Sequence, residues 1–175
     1  MIYLVGFMGA GKTSVGVRLA ELLAWRFLDL DGEIETEQGV SIRSIFMKQG
    51  ESVFRRIERE ALEKVSRGTR TVVALGGGTF CSDENRRIIS ATGISVWLDA
   101  PIETLYRRCA GEETRPLFAS RPEMEQLLES RRPFYEQSTL RVDAGDLTVD
   151  DLARIVLERL DQISSLPGNK GTKAQ

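Results

Sequence analysis

The segment Gly6–Thr13, GFMGAGKT, combines glycines with a lysine and a hydroxyl side chain. It matches the pattern glycine, four residues, Gly-Lys-Ser/Thr, in which consecutive backbone N–H groups converge on an anion. In such a loop Lys12 reaches the terminal phosphates of a nucleotide and Thr13 offers its hydroxyl to a magnesium ion. The same short pattern also occurs by chance in loops that bind nothing, so the flanking sequence has to decide. The nucleotide contacts that it predicts are Gly9, Ala10, Gly11, Lys12, Thr13 and Ser14.

The flanks of this loop favour phosphate binding. Ile2–Val5 is apolar and partly β-branched, as is typical of a strand. After the loop, apolar residues recur at i, i+4, i+7 and i+8 on one face of a helix: Val15, Leu19, Leu22 and Leu23. A helix that begins at the loop adds its N-terminal dipole to the phosphate site. We expect positive φ or close approach at Gly6, Gly9 and Gly11.

Two aspartates form a second candidate group. Asp29 and Asp31 fall on the same face of a predicted strand, Phe27–Asp31, because side chains alternate along a strand. Ligands of open parallel sheets gather beyond the carboxyl ends of the strands, where both aspartates would lie. One carboxylate can support magnesium and the other can face an acceptor hydroxyl. The alternative is a pair of solvated loop carboxylates.

Three consecutive glycines, Gly76, Gly77 and Gly78, follow another predicted strand, Thr71–Leu75. Glycines leave backbone N–H groups open to a ligand, so a second ligand could approach the main chain there. The alternative is a flexible turn that binds nothing.

Arginines are the remaining candidates. The guanidinium group matches a carboxylate or a phosphate, although most surface arginines are only solvated. The arginines considered are Arg55, Arg56, Arg107, Arg108, Arg115, Arg131 and Arg132. We expect Phe46 and Phe54, which lie near the first two, to belong to a hydrophobic core.

Composition excludes several classes of function. The 175 residues suit one domain, with 41% hydrophobic and 29% charged residues as in ordinary globular proteins. A net charge of −2 argues against general binding of nucleic acid or anionic membranes. Without histidine, imidazole bases and Ser-His-Asp chemistry are excluded. Cys81 and Cys109 lack the spacing of a zinc site or a disulfide scaffold. With no leader and no apolar span of about 18 residues, we expect a cytoplasmic protein. We also expect a monomer.

The elements that must position these residues alternate along the chain. Strands are predicted at Ile2–Val5, Phe27–Asp31, Thr71–Leu75, Ile94–Asp99 and Thr139–Val142, with helical periodicity between them. This alternation predicts an α/β fold with a parallel sheet and helices on both faces. The segment Thr148–Asp151 resembles a capping box that opens a last helix to about Leu160, and we expect a disordered tail over 164–175.

Two segments exceed a simple alternation of strands and helices. The first, 32–67, has room for two or three helices and could form a substrate pocket. The second, 110–122, is polar, contains Arg115 and is broken by glycine and proline, which favours a mobile lid.

Taken together, these residues closely resemble those of shikimate kinases, which are small P-loop kinases related in fold to the nucleoside monophosphate kinases. The resemblance covers roughly 2–160. Its specific parts are Asp29-Leu30-Asp31, Ser41-Ile42 to Ile45-Phe46, Gly50-Glu51, Phe54-Arg55-Arg56-Ile57-Glu58, Gly76-Gly77-Gly78, Arg115-Pro116-Leu117 and Arg131-Arg132-Pro133-Phe134-Tyr135.

The resemblance implies a three-layer α/β/α fold with a five-stranded parallel sheet, in one kinase domain over 1–163. It implies a substrate-binding segment at about 32–61 and a lid at about 111–122. It also implies ATP-dependent phosphorylation of the 3-hydroxyl of shikimate, a step of aromatic amino acid biosynthesis, with ATP and Mg²⁺.

The resemblance also implies roles on the acceptor side. Asp31 would bind the substrate hydroxyls and could accept a proton from the attacking one. Arg55 and Arg131 would clamp the substrate carboxylate beside the turn Gly76–Gly78. Arg115 would reach the transferring phosphate together with the lid.

On the nucleotide side, Thr13 would coordinate magnesium and Asp29 would hold it, largely through water. Arg107 or Arg108 would lie near the adenine. The segment 144–147 reads Ala-Gly-Asp-Leu where the family often has a basic or proline-containing adenine loop, so adenine contacts there stay open.

Three alternatives stay open at this stage. Gluconate kinase also needs arginines for a carboxylate, although Phe54–Glu58 and the triple glycine favour shikimate. A nucleoside monophosphate kinase would respond to AMP or CMP. A nucleotide-binding module without catalysis would bind ATP without turnover, but it would not need Lys12, Thr13, Asp29, Asp31 and Arg115 together.

Overall fold

The computed structural model describes residues 1–109 and 120–165 of the chain, with side chains to Ile163. The strands are β1 (Ile2–Val5), β2 (Arg26–Asp29), β3 (Thr71–Ala74), β4 (Ile94–Asp99) and β5 (Leu140–Asp143). The helices are α1 (Lys12–Leu23), α2 (Leu30–Gln38), α3 (Ile42–Gln49), α4 (Glu51–Val65), α5 (Asp83–Thr92), α6 (Ile102–Cys109), α7 (Arg121–Tyr135) and α8 (Val149–Ser165), with a 3₁₀ turn at Thr79–Cys81.

The five strands form one parallel sheet in the order β2-β3-β1-β4-β5. All five predicted strands are present, and the predicted α/β class is confirmed. The chain crosses from β1 to one side of the sheet and from β3 to the other. Because such crossovers are right-handed, α1 and α5 lie on opposite faces. The carboxyl ends of β1 and β3 therefore form the switch point at which open sheets bind ligands.

The core lies on both faces of the central strands. Every residue of β1 is buried, as expected for a parallel strand covered by helices on both sides. Phe54 is 4% exposed and Phe46 packs against it, with ring centroids 4.6 Å apart. The prediction that these two phenylalanines belong to a core is confirmed.

The strand prediction for Phe27–Asp31 was wrong at its end. The Asp29 carboxylate accepts hydrogen bonds from the backbone N–H groups of Asp31 and Gly32, at 3.2 and 3.3 Å, and so caps α2. Asp31 consequently lies in the first turn of a helix. The two carboxylates are not on one strand face, and capping rather than alternation sets their directions.

The last helix is longer than predicted. Thr148 Oγ1 accepts a hydrogen bond from the Asp151 backbone N–H, which confirms the predicted cap, but α8 continues to Ser165. Extending a formed helix by one more turn costs little, so the helix passes Leu160. Residues 164–165 belong to α8, and the rest of the tail lies outside the described residues, so its disorder stays a prediction.

The two additional segments have different outcomes. The segment 32–67 forms three helices, α2, α3 and α4, as its length predicted. The predicted lid lies outside the described residues except at its end, where Arg121 and Pro122 already belong to α7. Among the described residues, no helix is long and apolar enough to cross a membrane.

Candidate active site

The loop after β1 has the geometry that its sequence predicts. Gly6, Gly9 and Gly11 have φ values of 141°, 75° and 89°, so all three adopt the conformations expected of them. Lys12 begins α1, and its ammonium group donates hydrogen bonds of 2.9 Å to the carbonyl oxygens of Gly6 and Phe7. The Lys12 side chain therefore folds back over the phosphate loop that precedes it.

Thr13 and Asp29 lie beside each other at the start of α1 and the end of β2. The Thr13 hydroxyl donates to Asp29 Oδ2 at 2.8 Å, while Asp29 Oδ1 caps α2. The hydroxyl proton is thus directed to the carboxylate, which leaves the lone pairs of Thr13 Oγ1 available to a cation. The Thr13 hydroxyl oxygen and the Asp29 carboxylate oxygens are hard ligands of the kind that Mg²⁺ prefers. Within 1–109 and 120–165 no group of three or more acidic, histidine or cysteine ligands exists.

The glycine turn after β3 contacts the three predicted acceptor residues, one at each glycine. A Cβ atom at Gly76 would lie 2.5 Å from Asp31 Oδ1. At Gly77 it would lie 3.2 Å from a terminal nitrogen of Arg131, and at Gly78 2.8 Å from a terminal nitrogen of Arg55. The absence of side chains is therefore what allows these charged groups to converge on the turn.

Strand register explains why Asp31 meets this turn. Ala74 of β3 is paired with Leu4 of β1 and with Asp29 of β2. The residues two positions after this paired set are Gly6, Gly76 and Asp31. Gly76 follows the middle strand, so it lies between the start of the phosphate loop and Asp31. The residues predicted to bind the nucleotide and the acceptor thus follow three neighbouring strands.

Arg55 is held by two carboxylates of its own helix. Its guanidinium donates to Glu51 Oε1 and to Glu58 Oε2, each at 3.0 Å. Burial would lower the pKa of Arg55, but the negative charges of Glu58 and Glu51 outweigh it and the pKa is raised. Arg55 therefore stays a cation and has its direction fixed.

Arg131 approaches the turn from α7. Its guanidinium carbon lies 5.7 Å from the centre of the Phe7 ring, so it borders the phosphate loop. Tyr135, one helical turn further, is fully buried and donates from its hydroxyl to the Gly77 carbonyl oxygen at 2.5 Å. Burial raises the pKa of Tyr135, and nearby Arg131 only partly opposes this shift.

The two predicted adenine arginines take different positions. Arg108 donates to the carbonyl oxygens of Gly9, at 3.4 Å, and Gly145, at 2.9 Å, so it joins the phosphate loop to the segment after β5. Arg107 is exposed and pairs with Asp146 at 3.1 Å. Arg108 is thus the one that borders the nucleotide loop.

The other arginines are not brought to the turn. Arg132 pairs with Glu129 and faces Asp99, and Arg56 is an exposed residue beside a cavity behind Arg55. Arg115 lies outside the described residues.

Sequence reasoning gave no role to several side chains that support the turn. Glu58 is 1% exposed and could have been found from its i+3 spacing to Arg55. Thr79, Asn85 and Tyr135 carry no local signal, because their partners come from other elements.

Comparison with known proteins agrees with this geometry. A family model described as shikimate kinase matches residues 8–161. A shikimate kinase of Persephonella marina is 41% identical over 160 residues, which cover 91% of this chain and 98% of that protein. The chain belongs to the shikimate kinase family. The resemblance drawn from the sequence is confirmed, and the chain is a kinase of the transferase class.

Solved structures agree with the family and with the fold. A shikimate kinase from Acinetobacter baumannii in complex with shikimate has a TM-score of 0.89 and 37% identity, with 94% of each chain covered. A gluconokinase from Sinorhizobium meliloti has a TM-score of 0.59 and 19% identity, with coverage of 93% of this chain and 91% of that one, and shows the shared fold alone. The predicted three-layer P-loop kinase fold is confirmed.

Proposed function

We propose that this protein transfers the γ-phosphoryl group of ATP to the 3-hydroxyl of shikimate and releases shikimate 3-phosphate and ADP. The observation that carries this proposal is the convergence of Asp31, Arg55 and Arg131 on the glycine turn directly beside the phosphate loop. Two cations and one carboxylate suit an acceptor that carries one carboxylate and several hydroxyls. The shikimate kinase solved with shikimate supports the same acceptor.

The nucleotide occupies the loop after β1. Backbone N–H groups of residues 9–14 and the α1 N-terminus hold its phosphates, and Lys12 leaves the carbonyl oxygens of Gly6 and Phe7 to reach the terminal phosphates. Arg108 lies near the adenine from its place between Gly9 and Gly145. Thr13 and Asp29 fit Mg²⁺, which when bound neutralises phosphate charge in the transition state.

The acceptor lies against the glycine turn. Arg55 and Arg131 bind its carboxylate from two sides, and Asp31 binds its hydroxyls. The attacking hydroxyl oxygen forms a bond to the γ-phosphorus while the bond to the β–γ bridging oxygen breaks. Its proton passes to Asp31 and then to solvent. Arg115, which lies outside the described residues, supplies positive charge to the transferring group. A cytoplasmic location and a monomeric state stay predictions from the sequence.

The test is ADP release from MgATP, coupled to NADH oxidation, with shikimate, gluconate, AMP or no acceptor. Of the acceptors, we expect only shikimate to cause ADP release from MgATP. We expect this release to be lost when magnesium is chelated. Release with gluconate or AMP alone would replace the acceptor and retain the kinase. ATP binding with no release in any mixture would favour the binding module without catalysis.

Single substitutions separate the proposed roles. Arg115→Ala is expected to lower kcat mainly, and Arg55→Ala or Arg131→Ala to raise KM for shikimate mainly. Equal changes of both parameters in all three variants would contradict this division.

A further inference from the structure

A chain of buried polar side chains runs from the acceptor site into the protein. Glu58 is 1% exposed, Thr79 0% and Asn85 2%, and they come from α4, the 3₁₀ turn and α5. Burying polar groups costs free energy unless their hydrogen bonds are made. Three such residues in contact from three elements form a connected network.

Glu58 is the link between Arg55 and Thr79. Its Oε2 accepts from Arg55 at 3.0 Å, and its Oε1 accepts from the Thr79 hydroxyl at 2.7 Å. A carboxylate held at both oxygens cannot rotate about its terminal torsion without breaking one bond. The Thr79 hydroxyl therefore fixes the plane in which Glu58 presents its other oxygen to Arg55.

Thr79 is fixed in turn by its neighbours. Asn85 Nδ2 donates to the Thr79 carbonyl oxygen at 2.9 Å, and the Thr79 N–H donates to the Gly76 carbonyl oxygen at 3.1 Å. A Cβ atom at Gly76 would also lie 3.1 Å from Thr79 Oγ1. The main chain of Thr79 is thus fixed at both its N–H and its carbonyl, and its hydroxyl lies immediately behind the glycine turn.

Arg55 needs this support because its side chain is more exposed than those of Glu58, Thr79 and Asn85. Its side chain is 34% exposed, and beside it lies a cavity of about 280 Å³ that is also lined by Arg56, Glu58 and Asn85. Without fixed partners, a long side chain next to open space would have several rotamers to lose on binding. It is held by the carboxylates of Glu51, which is exposed, and buried Glu58, and its guanidinium carbon lies 5.2 Å from the centre of the Phe54 ring.

We propose that Thr79 is a positioning residue of the acceptor site. Through Glu58 it sets the direction of the Arg55 guanidinium and so the affinity for the carboxylate of the acceptor. Thr79 itself touches neither substrate. The proposal rests on the proposed function only in that the acceptor carries a carboxylate which Arg55 binds.

The test compares Thr79→Val with Thr79→Ser. Valine keeps the shape of threonine and removes the hydroxyl, whereas serine keeps the hydroxyl. We expect Thr79→Val to raise KM for shikimate about tenfold, equivalent to about 1.4 kcal/mol, with kcat and KM for ATP within about twofold of wild type. Thr79→Ser should retain the wild-type KM.

The methyl ester of shikimate distinguishes positioning from general damage to the site. The ester has no carboxylate charge for Arg55 to bind, so Thr79→Val should leave its KM within about twofold of the wild-type value. An equal rise in KM for acid and ester, or an unchanged KM for the acid, would overturn the proposal. Wild-type enzyme without activity on shikimate would instead refute the proposed function.

A second measurement protects the test against misfolding. Thermal unfolding of each variant is recorded without ligands, and Thr79→Ala replaces Thr79→Val if valine prevents folding. In a Glu58→Gln background, removal of the Thr79 hydroxyl should raise KM for shikimate less than in wild type, because the two substitutions break one network. Fully additive effects would also contradict the proposal.

Discussion

The glycine turn predicts three different kinetic effects from three adjacent alanine substitutions. A Cβ atom at Gly76 would lie 2.5 Å from Asp31 Oδ1, although real Cβ contacts are essentially never under 3.0 Å. The carboxylate would have to retreat by about 0.5 Å to reach that limit and about 0.9 Å to reach ordinary contact at 3.4 Å. None of the three glycines has a positive φ, so the backbone itself tolerates alanine.

The size of the expected effect follows from what is displaced. Misplacing a reacting group by about 1 Å can cost about 10²-fold in rate, so Gly76→Ala should lower kcat about 100-fold. Gly78→Ala moves the Arg55 guanidinium, whose two terminal nitrogens would lie 2.8 and 2.9 Å from the new atom, and should raise KM for shikimate about tenfold. The Cβ of Gly77→Ala would lie nearest to the end of Arg131, at 3.2 Å, with Met8 N and Gly6 O at 3.8 and 3.9 Å, so this substitution should change either constant less than about threefold.

Steady-state kinetics with shikimate varied at saturating MgATP measures all three, and Gly77→Ala is the matched control within the same turn. Thermal unfolding checks that the variants remain folded. If all three lowered kcat and raised KM alike, the turn would act as one unit and the contact argument would be refuted. A larger loss in Gly77→Ala than in Gly76→Ala would refute it as well.

Three further predictions concern single groups. Asp31→Asn should lower kcat about 10²- to 10⁴-fold, since it removes a proton acceptor of the same shape, while ATP binding measured by calorimetry stays near wild type; unchanged turnover would remove Asp31 from the mechanism. Asp29→Asn retains the α2 cap but loses the charge beside Thr13, so about tenfold more magnesium should be needed for half-maximal activity; an unaltered magnesium requirement would contradict this site. Tyr135 has a pKa raised by burial, so its stabilising contribution is complete below the unfolded pKa of about 10 and is lost as the pH rises above it. Denaturant unfolding between pH 8 and 11 should therefore show a steeper alkaline loss of stability in wild type than in Tyr135→Phe, and parallel curves would refute the assignment.

Local patterns predicted the geometry of the phosphate loop well because that geometry depends on a few consecutive residues. The positive φ values of its glycines and the start of α1 at Lys12 both follow from residue types within this short segment. The same holds for the buried strands, whose apolar runs are continuous.

Asp29 shows where that reasoning failed. Its side chain turns back to cap a helix, and this local bond overrode the strand alternation that the sequence suggested. The contribution of Thr79 and Asn85 could not be predicted at all. It depends on contacts with Glu58 and with each other, which join three different elements. Spacing along the chain carries no information about such contacts.

The pairing of β1, β3 and β2 also sets the distance between the phosphate loop and the glycine turn. Leu4, Ala74 and Asp29 are paired across these strands, so the lateral spacing of about 4.8 Å between neighbouring strands sets how far apart the phosphate loop, the glycine turn and α2 begin. That spacing is set by backbone hydrogen bonds and does not depend on the acceptor. Exchange of the residues around the glycine turn would therefore change the contacts to the acceptor and leave the strand pairing that places the turn beside the phosphate loop unaltered.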